Sequence, residues 1–167
     1  MLLILACGLL CFASANAMAG ELERRVALLY ALHRDIAAMR GWMAGSLPPM
    51  RLMLLRLREG SLQALWDGVN AELTRAESFD QAWKNCLGTL RRDALQPLSE
   101  EEYRLVLELG DAFCATQDTK AQLRFIDGLL QRLQLFAEEA RAQTQKRARL
   151  YRSLGVLGGL ALAVVIC

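Results

Sequence analysis

The sequence predicts an all-α protein, a bundle of about five or six helices held between two apolar ends. Apolar residues recur at three- and four-residue intervals along most of the chain, the spacing of one stripe on a helix. Nowhere do they alternate as a half-buried strand requires. Ser78–Gln81 and Ser99–Glu102 have the Ser-x-x-Gln and Ser-x-x-Glu form of a helix start. All 20 basic and 18 acidic residues fall between Glu21 and Arg152, leaving both ends without charge. The chain therefore divides into an N-terminal transmembrane helix (1–20), an all-α domain (21–152) and a short C-terminal membrane helix (153–167).

Residues 1–20 match the roughly 20 residues that cross a bilayer core. They lack the basic start of a secretory signal, although Ala15-Asn16-Ala17 offers a small-residue cleavage site as the alternative. Arg24, Arg25 and Arg34 follow. The positive-inside rule then puts the N-terminus outside and the domain in the cytoplasm. Leu22, Val26, Leu29, Ile36, Met39 and Met43 mark an amphipathic helix continuing from that first span. His33 lies on the same stripe and reads as a packed boundary residue, without partners for a ligand or catalytic role. Gly45-Ser-Leu-Pro-Pro49 ends this helix, because two prolines impose an extended or turn conformation.

Met50 to Arg58 reads as a short helix closed by Gly60, and Leu62 to about Thr74 as another. Met39, Trp42, Met43, Met50 and Met53 gather around the Pro-Pro turn, either as core filler or as an adaptable partner surface. The box at Ser78 starts a helix through Ala82, Trp83, Cys86, Leu87 and Leu90, and Gln96-Pro97-Leu98 breaks the chain. The box at Ser99 opens the next helix. Glu100, Glu101 and Glu102 sit in its first turn, where the helix dipole favours negative charge. No second carboxylate or nucleophile is placed to face them, so they do not read as catalytic. The stripe runs Tyr103, Val106, Leu107, Gly110, Phe113 and Cys114. Gly110 costs about 1 kcal/mol relative to alanine mid-helix, which points to close approach of a neighbouring helix.

Thr116-Gln-Asp-Thr119 caps a final helix free of proline up to Arg152. Its stripe is Leu123, Ile126, Leu130, Leu133, Ala137, Ala140 and Thr144. Lys146, Arg147, Arg149 and Arg152 then form a basic collar, which with Arg24 and Arg25 sets the topology. The 15 residues from Ser153 onward reach about 22 Å as a helix, against a core of roughly 30 Å. Tyr151 at the interface, an upward-reaching Arg152 and local thinning of the bilayer would make up the difference, the alternative being a half-buried re-entrant tail. Gly155 and Gly159, four apart, would let another membrane helix approach closely.

Composition narrows the function classes. At 54% hydrophobic residues and mean hydropathy +0.20 the chain is too apolar for an ordinary soluble domain, and the two ends supply the excess. A net charge of +2, with arginines interleaved among acids, argues against nucleic acid. Five cysteines without a C-x-x-C pair, and a single histidine, argue against a metal or a disulfide framework. No Walker loop, G-x-G-x-x-G, G-x-S-x-G or H-E-x-x-H occurs, so no cofactor, small-molecule substrate or catalytic set is expected.

The order of these features resembles the stage III sporulation protein AB family of endospore-forming bacteria. The likeness spans nearly the whole chain. It is carried by the first span, Leu28-Leu-Tyr-Ala-Leu-His-Arg-Asp-Ile36, Leu47-Pro48, Ser78-Phe-Asp-Gln-Ala-Trp83, Leu109-Gly110 and Asp118. The most specific part is the ending Tyr151-Arg-Ser-Leu-Gly-Val-Leu-Gly-Gly-Leu160. Where the family repeats Leu-Gly four residues on, this chain has Phe113-Cys114. The resemblance implies a non-enzymatic part of the channel complex between mother cell and forespore, in the cell membrane with its domain on the mother-cell side. It implies a domain similar to the cytoplasmic domains of type II secretion and type IV pilus platform proteins. The implied partners are the membrane, other subunits of the complex and its ATPase. Two readings from other classes compete: an exported, C-terminally anchored binding protein or enzyme, and a regulator that senses lipid through the basic collar.

Overall fold

The computed structural model describes the backbone of residues 2–46, 48–114 and 118–166, and the side chains of residues 20–46, 48–114 and 118–147. Among the described residues there are six helices and no strand. They are α1 (Leu2–Gly45), α2 (Met50–Leu57), α3 (Gln63–Glu72), α4 (Phe79–Leu90), α5 (Glu100–Cys114) and α6 (Thr119–Ile166).

α1 is one helix of 44 residues, so the amphipathic stripe and the apolar segment before it share one axis. Leu29, Ile36 and Met39 on that stripe are fully buried, and so is Leu32 beside them. The helix stops before Pro48 and Pro49, and the Pro49 carbonyl accepts the Leu52 and Met53 N–H groups to start α2. α3 ends two residues short of the expected Thr74. Its last turn tightens, with the Thr74 hydroxyl and N–H both donating to the Ala71 carbonyl, a competing local bond that winds the helix down.

Ser78 caps α4, its hydroxyl accepting the Gln81 N–H at 3.3 Å. α4 runs to Leu90 as its stripe predicts, and α5 begins at Glu100, beyond the break at Gln96-Pro97-Leu98. Residues 91–98 form a tight turn that buries Leu95 and Leu98. Arg91 holds it: Nη1 donates to the Leu95 and Leu98 carbonyls at 3.1 and 3.2 Å, and the guanidinium lies 4.5 Å from the Tyr103 ring centroid. α6 starts at Thr119, where Asp118 accepts the Lys120 N–H at 2.9 Å. Thr116, proposed as part of that cap, lies outside the described residues.

Each helix packs on the next in sequence, and α6 returns to α1 in the most extensive contact of the fold, closing the bundle. The α1–α6 pair is antiparallel. Arg40 donates to both Asp127 carboxylate oxygens at 2.8 Å, while Glu21, Leu22 and Arg25 share a cleft with Arg147. Trp66 and Trp83 stand at the centre with ring centroids 5.7 Å apart, and Phe79 bridges Trp83 to Phe113. A buried indole N–H needs an acceptor. Trp66 finds Asp35 at 2.8 Å and Trp83 the Val106 carbonyl at 2.8 Å.

Candidate functional site

The charged residues singled out by the sequence converge where α1 enters the bundle and α6 leaves it. Leu22 and Val26 are half-buried there, and the α4–α5 turn brings Gln96 and Pro97 alongside Arg147. Arg24, Lys146 and Arg147 are exposed, with Glu21 and Glu23 exposed beside them on α1.

Arg25 has a different place from the collar expected of it. Its guanidinium grips Glu102, Nε donating at 3.1 and 3.0 Å and Nη2 at 2.8 Å. Glu102 is wholly buried, and the same carboxylate accepts the Ser99 N–H at 2.7 Å while Ser99 Oγ accepts the Glu102 N–H at 3.3 Å. The capping box of α5 is therefore also the anchor that fastens α1. A buried carboxylate requires a cation and further donors, which this arrangement supplies. Of the six collar residues, Arg24, Lys146 and Arg147 remain as solvent-facing charges. The side chains of Arg149 and Arg152 lie outside the described residues, as do those at the positions of Gly155 and Gly159.

Both helices run on past this end, α1 back to Leu2 and α6 forward to Ile166. Among the described residues no helix is long and apolar enough to cross a membrane, and the side chains of 1–19 and 148–167 fall outside them.

The methionine cluster is divided by burial. Met39, Met43 and Met53 are 0%, 5% and 4% exposed and belong to the packed interior, so they offer nothing to a partner. Trp42 and Met50 are half-buried, and Arg56 lies over the Trp42 ring. Gly110 sits directly under Trp83: a Cβ there would stand 2.4 Å from the indole Cδ1. Gly68 does the same beneath Cys86, with Sγ at 2.7 Å, a close approach that the spacing of α3 does not announce. Burial pushes the Cys86 thiol up to about 11, with Glu72 adding to the effect, so it stays protonated. Among the described residues, no group of His, Cys, Asp and Glu is placed to hold a metal ion.

Charge pairs tie the outer faces together. Lys84 bridges Asp111 on α5 and Asp80 on its own helix, which raises the lysine and lowers Asp111. The hydrogen bonds from Arg40 hold Asp127 below the usual carboxylate range. Arg132 meets Glu108 at 2.8 Å between α6 and α5. Of these pairs, Asp80–Lys84, four apart on one helix, has a spacing that sequence reading can find.

A family model described as stage III sporulation protein AB matches residues 1–167. Among solved structures, the chain is similar to one described as stage III sporulation protein AB, at 18% identity and a TM-score of 0.53. That match covers 75% of this chain and 94% of the other, and it speaks for the fold. No curated protein matches the sequence.

Proposed function

The chain belongs to the stage III sporulation protein AB family, and from that premise we propose a membrane-anchored scaffold in the channel complex between mother cell and forespore. It is a structural component of sporulation. In this reading the apolar ends hold the bundle against the mother-cell membrane on its cytoplasmic side. The helical faces then dock other subunits of the complex, among them its ATPase.

The observation that supports the reading is the antiparallel pairing of α1 with α6. Arg40 faces Asp127 at one end and Glu21 lies beside Arg147 at the other, so the two uncharged termini extend from the same end of the bundle. Two helices entering one bilayer from one domain require that arrangement. Arg24, Lys146 and Arg147 then stand at the headgroup level, where anionic lipid attracts each by about 1 kcal/mol.

The test is a topology map of the full chain in sporulating cells, with reporters after Gly20, near Ser78 and at the C-terminus. The Ser78 fusion is expected to be active only in the cytoplasm, and the chain to need detergent for extraction. A Ser78 reporter active only outside the cell, or a mature start near Met18 or Ala19, overturns the orientation.

A further inference from the structure

From Ile36 to Arg58 the chain carries Arg40, Arg51, Arg56 and Arg58 and no acid at all. Two of the four are neutralised within the fold, Arg40 by Asp127 and Arg58 by Asp67. Arg56 lies over Trp42, 5.4 Å from the ring centroid, and Arg51 is exposed with no acidic partner among the described residues. Both sit on α2. That helix turns Met53, Leu54 and Leu57 inward but leaves Leu52 and Leu55 at 42% and 43% exposure, three residues apart. The acid that follows in sequence, Glu59, lies beyond the end of the helix.

We infer that the outer face of α2, with Leu52 and Leu55 between Arg51 and Arg56, docks an acidic amphipathic helix of another protein subunit. The inference rests on the scaffold reading above and names the surface and partner chemistry that it leaves open. Two exposed leucines one turn apart are the anchors that a helix-against-helix contact uses, and two uncompensated guanidinium groups select a partner with carboxylates flanking its apolar stripe. A second copy of this chain is a poor occupant, because an isologous pairing of α2 with α2 sets arginine against arginine. A lipid surface is poor as well. α2 follows the C-terminal end of α1, the end of the bundle away from both apolar termini.

The experiment places a photo-crosslinking amino acid at Leu52 or Leu55 of the full chain in sporulating cells, with Leu135 on α6, 59% exposed, as the comparison site. The expected products at 52 and 55 join one protein partner, and the joined peptide is acidic with helical apolar spacing. R51E/R56E is expected to cut that yield about tenfold, because like charges then face each other, whereas R51K/R56K keeps it. R51E alone, which leaves Arg56 on Trp42, is expected to lower the yield in the same direction. Thermal melting of each variant checks that the bundle is intact. Products at Leu135 but none at 52 or 55 overturn this inference and leave the scaffold reading standing. A product with lipid or a second copy, or an unchanged yield in R51E/R56E, overturns it too. No protein product at any of the three positions overturns both.

Discussion

At Glu102 a single buried carboxylate accepts the Ser99 N–H and three bonds from Arg25, joining a helix start to a helix 77 residues away. Removing one partner of such a pair strands the other, at a cost of about 3 kcal/mol. Arg25→Met and Glu102→Met are each expected to lower the melting temperature. The double variant is expected to recover much of the loss, since two apolar side chains strand no charge. A double variant whose loss equals the sum of the singles removes the coupling. Glycines separate in the same way. Gly110→Ala drives a Cβ into Trp83, whose indole is fixed by the Val106 carbonyl, so overpacking of about 1–3 kcal/mol outweighs the gain in helix propensity. Gly128→Ala on the exposed side of α6 meets nothing within 4 Å and is expected to stabilise by up to about 1 kcal/mol. Denaturant titration of the two variants should move the midpoints in opposite directions.

Between elements, the ion pairs Arg40–Asp127 and Lys84–Asp111 link α1 to α6 and α4 to α5. Both aspartates are held below the ordinary carboxylate range in the fold by their hydrogen-bonded cations. A lowered folded pKa means that the unfolded chain takes up protons first as the pH falls. The stabilisation is therefore complete above the ordinary aspartate value of about 3.9 and fades as the pH drops through the depressed folded values. Melting temperatures recorded from neutral pH downward should fall on entering that window, and Asp127→Asn should flatten the fall while lowering the neutral plateau. An unchanged acid profile in the variant removes the pair from the account. The helices themselves were legible in sequence because their signals are local: the stripe of α1, the boxes at Ser78 and Ser99, the two prolines before α2. The fold of the turn after α4 was not, because Arg91 closes it with carbonyls four and seven residues on and with the Tyr103 ring.

For the whole molecule, the antiparallel α1–α6 seam decides which ends lie together. Cysteines placed at Glu21 and Arg147 should be joined by a short bismaleimide, with the product mapped by mass spectrometry, whereas Glu21 with Asp127 should not. A Glu21–Asp127 product in place of the first would reverse the seam and detach the scaffold reading from its support. Composition and periodicity by themselves determined that the chain is helical, where its charges stop and which positions face inward, since each depends on residues within a few turns of one another. The motifs from Leu28–Ile36 to the ending Tyr151–Leu160, and their order, carried the likeness to the stage III sporulation protein AB family. Tertiary structure alone decided that Arg25 serves Glu102 and that Leu52 and Leu55 remain outside. A side chain's partner across 77 or 87 residues is set by how helices pack, and no spacing along the chain encodes that distance.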